Sequence, residues 1–454
     1  MLAFLGFGVL LGNVASHPVD DTLASTRAPV RLVLPPAAAP STSTPGASES
    51  PAATTSSEPP ASESEPTPTP AASNSAPAAK TPSSSSGSSG SKSESHGSSS
   101  EASADAPAKK LPPIKHVFLI VLSDAPYASV FGPTSTAPYL TGTLEHEGEL
   151  LVHYDAVAHE ELANEVALLS GQGPTAETAA NCPNYTAIAP TSAGAEGQVI
   201  GNGCVYPAST ETLAGQLSAK HLTWSAYQQG TDEGGPAGAC AHPVLGQPDP
   251  TAEQTASSGA YATFRNPFVY FDSVLDSPQC DADDIGLDKL QFALASAKRT
   301  PNLAYIVPDR CHDANPTPCN PGAPAGAAQA DAFLKEVVPE ITASKAYKES
   351  GLLVITTDEA PSSGEFADSS SCCGQPLFPN VPSKTLTGAP RGGGAVGALL
   401  LSPYVKGAST SQEPFNHFSL LRTIEDLFGL KHLGYAGLAA VKSFEPALFT
   451  AGKH

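Results

Sequence analysis

The stretch Ile114 to Leu122, "IKHVFLIVL", is a continuous apolar run rich in β-branched residues, and it ends at the polar pair Ser123-Asp124. An alternating pattern would indicate a strand with one solvated face. An uninterrupted run is typical of a strand that is buried on both faces of a parallel sheet. We therefore predict a central strand here, with Ser123-Asp124 at its carboxyl end.

Further apolar runs predict more strands, and amphipathic segments between them predict helices. The strand candidates are Leu150–Ala158, Leu222–Tyr227, Leu303–Pro308, Gly351–Ala360 and Ala395–Val405. The helix candidates are "ELANEVALLSG", "ETLAGQLSAKH", "DIGLDKLQFALASAK", "QADAFLKEVVPEIT" and "SLLRTIEDLFGL". Because strands and helices alternate, the sequence predicts an α/β fold, with a mostly parallel sheet and helices on both of its faces.

Acidic residues follow four of the predicted strands. They lie in Ser123-Asp124, His159-Glu160-Glu161, Asp309 to Asp313, and Asp358-Glu359. The carboxyl ends of parallel strands meet at one edge of a sheet, and this edge carries the ligand site of such folds. Carboxylate oxygens suit hard divalent cations. The pattern therefore predicts a divalent-metal site that includes Asp124, Asp358 and Glu359, with solvated loops as the alternative.

His417 precedes the amphipathic segment "SLLRTIEDLFGL". An imidazole at this place is either a metal ligand or part of the turn that begins a helix. Since mixed imidazole and carboxylate sites are common for zinc and manganese, we include His417 among the predicted ligands.

The segment His159 to Glu165, "HEELANE", combines three carboxylates, an amide and an imidazole. It is not the zinc-protease motif HExxH, because Ala163 occupies the position of the second histidine. Glutamates also stabilise the beginning of a helix, where the helix dipole favours negative charge. The segment is therefore either part of an active site or the solvated first turn of a helix.

Two other signatures point away from common site types. No GxSxG elbow occurs at a predicted strand-helix junction, which disfavours a Ser-His-Asp hydrolase. The glycine-rich stretch Arg391–Gly397, "RGGGAVG", precedes a strand and not a helix. It is expected to form a turn and not a phosphate-binding loop.

The chain divides by composition into three segments. Residues 1–16 form an apolar run of signal-peptide length, shorter than the ~20 residues of a membrane-spanning helix, although no Lys or Arg precedes the run. Residues 17–110 are dominated by Pro, Ala, Ser and Thr and are expected to be a disordered linker. Residues 111–454 form the predicted domain. We expect an exported protein, either secreted or held at the cell envelope, and whether the first segment is cleaved stays open.

The cysteines indicate the compartment of the protein, and its net charge limits the partners that it can bind. All eight cysteines lie in the predicted domain, and after export disulfides are expected. Zinc-cysteine sites are disfavoured because no CxxC pair exists. Closeness in sequence alone suggests the pairs Cys182–Cys204 and Cys311–Cys319. The net charge of −21 disfavours binding to nucleic acid.

The order of motifs resembles that of a bacterial phosphoesterase family, which includes secreted acid phosphatases, phosphatidylinositol phosphatases and related phospholipases C. The motifs are "IKHVFLIVL", "APYLTGTL", "YDAVAH", "ALLSGQGPT", "NPFVYFDSVLDSPQC", "AYIVPDRCHD", "LLVITTDEA" and "NHFSLLRTIEDLFGLKHLGYAG". They cover Ile114 to about Phe449. The resemblance implies an alkaline-phosphatase-like, three-layer α/β/α sandwich and metal-assisted hydrolysis of a phosphate-ester small molecule or a phospholipid headgroup.

Several ligand positions of the family are present in this sequence. The resemblance implies metal-ligand positions at Asp358, Glu359 and His417, and it locates Asp313 in an acidic loop of the site. Two positions depart from the family: Ser123-Asp124 stands where Glu-Asn is usual, and the histidine expected after Asp313 is Asn315.

The nucleophile position departs further. Where the family has a Ser or Thr in a His-Pro-Ser-Leu-Pro-Asn stretch, this sequence has "HEELAN", so Glu161 stands at the nucleophile's place. Arg265 replaces a histidine before Asn-Pro-Phe. The resemblance thus gives His159, Glu161, Asn164 and Arg265 as candidate catalytic residues.

Two hypotheses follow. In the first, the protein is a working phosphoesterase that uses zinc, manganese, calcium or magnesium. The cation lowers the pKa of a water molecule, which attacks phosphorus directly, so no phosphoenzyme forms. Glu161 is a base or a further ligand, and Arg265 neutralises phosphoryl oxygens. In the second, the protein is a catalytically inactive, phosphoesterase-like binding protein, because a carboxylate at the nucleophile position repels a phosphate dianion. The substrate, the metal and the oligomeric state stay open.

Overall fold

The structure is a computed structural model that describes residues 111–231, 238–252, 261–385, 387–388 and 390–450. The predicted signal segment 1–16 and linker 17–110 lie outside the described residues. None of the described helices combines the length and the apolar character needed to cross a membrane.

An eight-stranded sheet forms the centre of the described chain. Its strands are β1 (His116–Leu122), β2 (Glu149–Leu151), β3 (Trp224–Gln228), β4 (Asp284–Gly286), β5 (Leu303–Val307), β6 (Gly351–Thr357), β7 (Ala398–Leu401) and β8 (Ser409–Ser411). The strand order is β8-β2-β7-β6-β1-β5-β3-β4. The pairs β1–β5, β1–β6, β5–β3, β3–β4 and β8–β2 are parallel, and only β7 runs antiparallel to its neighbours. The sheet is therefore mostly parallel, as predicted.

Five longer helices accompany the sheet. They are α1 (Glu161–Ser170), α2 (Leu213–Ala219), α3 (Ala327–Ala343), α4 (Lys345–Ser350) and α5 (His417–Phe428). Shorter helices span Tyr127–Val130, Glu145–Glu147, Asp272–Leu275, Gln279–Asp283 and Leu290–Leu294.

The side chains of β1 alternate between two hydrophobic cores, one on each face of the sheet. Val117, Leu119 and Val121 pack in a core that includes residues of α1, α2 and α5. Phe118, Ile120 and Leu122 pack in the other core, with residues of α3 and α4. Both faces of β1 are buried, which explains its continuous apolar sequence. The three-layer α/β/α architecture is confirmed.

Two predicted elements differ from the structure. The run Leu150–Ala158 is not one strand, because the chain turns after β2 and the next short strand, Tyr154–Asp155, pairs with Phe415–Asn416 outside the sheet. The segment that starts at Asp284 was expected to be helical, but it begins with the edge strand β4. There the Asp284 carboxylate accepts a hydrogen bond from Asn266 at 2.8 Å, and the α-helix begins only at Leu290, after a 3-10 turn at Leu287–Lys289.

Every cysteine is paired with another. The pairs are Cys182–Cys204, Cys240–Cys280, Cys311–Cys319 and Cys372–Cys373. Both pairs expected from closeness in sequence are among them.

Candidate metal centre

The carboxyl ends of β1 and β6 are joined directly. The Asp358 amide donates to the Leu122 carbonyl at 2.9 Å, and the Asp124 amide donates to Oδ1 of Asp358 at 2.9 Å. Asp124 adopts a left-handed backbone conformation with φ of 39°, which a non-glycine residue adopts at an energetic cost. The sheet therefore brings the two strand-end carboxylates together, as the sequence predicted.

Helix α1 begins at the same edge and adds two further carboxylates. Glu160, just before the helix, has φ of 71°, and its amide donates to Oε2 of Glu359 at 2.7 Å. Asn181 secures this turn, since its Oδ1 accepts from the Leu162 amide at 3.1 Å and its Nδ2 donates to the carboxylates of Glu160 and Glu161. The turn therefore holds both glutamates at the first turn of α1.

Three carboxylate oxygens, one each from Glu160, Glu161 and Glu359, lie within 4.8 Å of one another. Glu359 is buried, while Glu160 and Glu161 are half-buried. Negative charges this close repel one another strongly in a partly buried site. The cluster therefore requires protons or a cation.

The pKa values at the site show the same repulsion. Burial, reinforced by the negative charges of Glu161 and Asp313, raises the pKa of Asp124 to about 7. Burial raises the pKa of Asp358 and of Glu359 well above the usual range, and Glu161 adds to both shifts. A cation held among these groups would restore their ionised forms.

The residues present fit a divalent cation. Oδ2 of Asp358 is fully buried and has no hydrogen-bond partner among the described residues. Its ion pair with Nε of Arg265, at 3.7 Å, is longer than a hydrogen bond, so this oxygen can still meet a cation or a proton. This oxygen lies beside Asp124 and beside the cluster formed by Glu160, Glu161 and Glu359. All five groups offer oxygen atoms, the ligand type of hard divalent cations.

Arg265 and Asp313 lie behind this cluster and not within it. Arg265 is 2% exposed; it donates to the Asp313 carboxylate and, through Nη2, to the Val121 carbonyl at 3.0 Å. Its Nε lies 3.7 Å from Oδ2 of Asp358. The geometry does not support the expected contact of Arg265 with phosphoryl oxygens, because its guanidinium is buried against carboxylates. Asp313 likewise serves as partner of Arg265 and of the Asn315 amide, and not as a ligand.

His417 is close to the cluster, but it is not available as a ligand. Its Nε2 donates to the Asp358 carbonyl at 2.8 Å, and its Nδ1 bonds to the Tyr154 hydroxyl at 2.9 Å. Since both ring nitrogens already have protein partners, the expected role in metal binding is not supported by the geometry. His417 instead positions the backbone of Asp358.

The remaining predicted residues occupy the rim and the support of the site. His159 lies at the rim, with Nδ1 3.1 Å from the Ala360 carbonyl and 3.4 Å from Oε2 of Glu359. Asn164 is fully buried, and its amide group bonds to the Val157 and Ala158 amides and to the Ala158 carbonyl. Asn164 therefore fastens the loop before α1, which is a positioning role.

The sequence pattern did not identify Glu160 as a candidate ligand, because the positive φ that turns its carboxylate toward Glu161 and Glu359 is not visible in a sequence. It also missed Asn181, which lies in an irregular segment without a motif. The buried carboxylate of Glu165 accepts a hydrogen bond from the Tyr305 hydroxyl, a role that the motif alone did not predict. Its position four residues after Glu161 on a helix was the available signal.

Fold and site together define a class of α/β/α proteins that gather acidic side chains at the carboxyl edge of a mostly parallel sheet. The model of the Phosphoesterase family matches residues 115–431, and the chain belongs to this family. The resemblance found in the motifs is thereby confirmed, and the protein is a hydrolase of ester bonds. No curated protein matches the sequence.

Solved structures with a related architecture are distant in sequence. A protein of the alkaline phosphatase superfamily from Vibrio parahaemolyticus has 12% identity and a TM-score of 0.40, over 71% of this chain and 68% of that chain. The lipoteichoic acid synthase LtaP from Listeria monocytogenes has 11% identity and a TM-score of 0.39, over 74% of this chain and 76% of that chain. The phosphonate monoester hydrolase SpPMH from Silicibacter pomeroyi has 13% identity and a TM-score of 0.40, over 74% of this chain and 76% of that chain. At these values the similarities carry no inference about chemistry.

Proposed function

We propose that the protein is a metal-dependent hydrolase of phosphate esters that uses water as its nucleophile. The observation that carries this proposal is the convergence of Glu160, Glu161 and Glu359 at the carboxyl edge of the sheet. Family membership supports ester hydrolysis. The replacement of the expected alcohol by Glu161 supports direct attack by water.

The ligands would be Glu160 and Glu359, together with Asp124 and Asp358, and Glu161 would lie beside the cation as the base. A divalent cation bound by them would neutralise charge on the phosphoryl group and would lower the pKa of water. Arg265 contributes a fixed positive charge behind the site, where it offsets the charges of Asp313 and Asp358. A cation bound at the cluster would keep its carboxylates in their ionised forms.

Glu161 would accept the proton of the attacking water. Its carboxylate is oriented on both sides, because Oε1 accepts from the Ser123 hydroxyl at 3.3 Å and Oε2 accepts from Asn181. A fixed carboxylate beside the reacting water is suited to general base catalysis. The bond from phosphorus to the ester oxygen breaks, and the products are an alcohol and phosphate.

We propose a phosphate-ester small molecule or a phospholipid headgroup as substrate, of the acid phosphatase or phosphatidylinositol phosphatase type. Export to the cell envelope or the medium is also a proposal. The four cysteine pairs support it, since disulfides persist in oxidising compartments.

The test measures hydrolysis of phenyl phosphate by the full chain after removal of metal and after addition of zinc, manganese, magnesium or calcium. Glu161→Gln keeps the size of the side chain but removes its basicity, and we expect turnover to fall about 100- to 10,000-fold. Glu340→Gln makes the same chemical change at an exposed position of α3 and serves as the matched control. Calorimetric titration with each metal ion measures binding separately.

Two results would count against the proposal in different ways. A wild-type protein that binds metal but hydrolyses no phosphate ester would be a binding protein, which is the second hypothesis from the sequence. Equal turnover in the wild type and in Glu161→Gln would remove Glu161 from the reaction.

A further inference from the structure

Arg391 is an exposed residue that two hydrogen bonds connect to His159, at the rim of the carboxylate cluster. Its Nη1 donates to the Ser369 hydroxyl at 3.3 Å, and that hydroxyl lies 2.8 Å from Nε2 of His159. On the other side of the ring, Nδ1 of His159 lies 3.4 Å from Oε2 of Glu359. One hydroxyl and one imidazole therefore separate the guanidinium from the proposed metal ligands.

The donors and acceptors of this chain have a defined direction. Arginine can only donate, so Ser369 accepts from Arg391 and can donate its own proton to Nε2 of His159. The proton of the neutral imidazole then lies on Nδ1, which donates to the Ala360 carbonyl at 3.1 Å. Every group of the chain is satisfied in this arrangement.

The glycine-rich turn after Arg391 fixes the arginine at the rim. The Gly393 amide donates to the Ala156 carbonyl at 3.0 Å, and the Gly393 carbonyl accepts from the Ala360 amide at 2.8 Å. A Cβ atom on Gly393 would collide with the Ala158 carbonyl oxygen, so only glycine permits this approach. The turn is thus packed between the loop that leads to α1 and the loop that follows β6.

The charge of the site shows what Arg391 can do. A phosphate ester that approaches the cluster meets several carboxylates, and the cation of the site offsets only part of this charge. Arg265 cannot contact substrate, because it is buried and bonded to Asp313 and the Val121 carbonyl. Arg391 has a guanidinium at the surface, beside His159, where a part of the substrate beyond the reacting phosphate would extend.

We propose that Arg391 binds a second anionic group of the substrate, so that the substrate class is phosphate esters that carry a further phosphate or carboxylate group. This inference rests on the proposed function, because it requires the reacting phosphate to lie at the carboxylate cluster. Arg391 determines specificity and takes no part in bond cleavage. Guanidinium groups suit this task, since they bind phosphate and carboxylate through two parallel hydrogen bonds.

The experiment compares bisphosphates of propanediol, hexanediol and nonanediol with alkyl monophosphates of equal length, as substrates of the metal-loaded full chain. For at least one length we expect kcat/KM to be about tenfold higher for the bisphosphate, mainly through KM. Arg391→Gln removes the positive charge, and it should lower kcat/KM for the bisphosphate to the value for the monophosphate of the same length. Arg299→Ala removes an exposed arginine that lies over Phe292, and it should retain the preference.

The outcomes separate this inference from the proposed function. If the wild type hydrolyses monophosphates but shows no preference for any bisphosphate, or if Arg391→Gln keeps the preference, the inference is wrong and the proposed function stands. If the wild type hydrolyses neither class with any metal, both are wrong. If the preference of the wild type for the bisphosphate weakens as salt is added, the charge of Arg391 contributes to it.

Discussion

The imidazole of His417 donates a hydrogen bond from Nε2 to the backbone carbonyl of Asp358, at 2.8 Å. The ring is fully buried, and burial lowers its pKa to about 4. It is therefore neutral near pH 7, and its Nδ1 accepts from the Tyr154 hydroxyl. Helix α5 is thus linked through its first residue to the strand end that carries Asp358 and Glu359.

His417→Phe should destabilise the fold and leave the number of bound metal ions unchanged. The substitution leaves the Asp358 carbonyl and the Tyr154 hydroxyl without their partner, which costs about 2 to 4 kcal/mol of unfolding free energy. Urea denaturation measures this loss, and metal analysis of the folded variant gives the stoichiometry. Tyr154→Phe removes one of the two bonds and should cost less. A folded His417→Phe protein that binds no metal would make His417 a ligand after all.

Glu161→Ser should change the chemistry of the site. It restores an alcohol at the position where the resembled family has its nucleophile, and it removes one negative charge from the cluster. We expect rapid quenching with a radiolabelled phosphate ester to trap a phosphoenzyme in this variant but not in the wild type. A labelled wild-type protein would show that a side chain, and not water, attacks phosphorus.

Reduction of the disulfides should destabilise the protein by unequal amounts. In the chain-entropy model, Cys240–Cys280, which are 40 positions apart, contribute about 4 kcal/mol, and Cys311–Cys319, 8 positions apart, about 2.5 kcal/mol. Paired Cys→Ser variants compared by urea denaturation should follow this order. Eight free thiols in the purified, unreduced protein, counted by alkylation and mass spectrometry, would exclude any contribution from disulfides.

Glu425→Gln should increase stability at alkaline pH. Burial raises the pKa of Glu425 from 4.5 to about 8, and its Oε2 has no hydrogen-bond partner among the described residues. Between these values the unfolded chain releases the proton while the folded chain keeps it, so this group lowers stability as the pH rises. Relative to the wild type, the unfolding free energy of the variant should rise by on the order of 1.4 kcal/mol for each pH unit within that window. Near pH 4.5 the two proteins should be equally stable. Unfolding free energies of both proteins from pH 4.5 to 8.5 test the sign.

The sheet and its functional edge were predictable because they depend on local patterns. The uninterrupted apolar runs of β1 and β6 predict strands with two buried faces, and the polar residues that follow must then lie at one edge. Asp124, Asp358 and Glu359 were found in this way. The edge strand β4 was not, since its short, polar sequence also fits a helix.

The roles of His417, Arg265 and Asp313 were not predictable, because each depends on a partner far away in the sequence. Tyr154 lies 263 positions from His417, and Asp313 lies 48 positions from Arg265. Sequence patterns identify residues that can bind a metal or a phosphate. They do not show whether a buried partner already occupies the same atoms, and only the packed structure supplies that information.

The strand order also determines when the site can form. β1 lies between β5 and β6 in the sheet, and the bond from Asp124 to Asp358 joins residues 234 positions apart. Contacts between such distant positions form slowly, since a long loop must close first. In a folding intermediate in which β6 has not yet joined the sheet, Asp358 and Glu359 are not positioned at the site. Enzymatic activity should therefore return only in the last phase of refolding, and in a growing chain the hydrolase stays inactive until this strand has been synthesised.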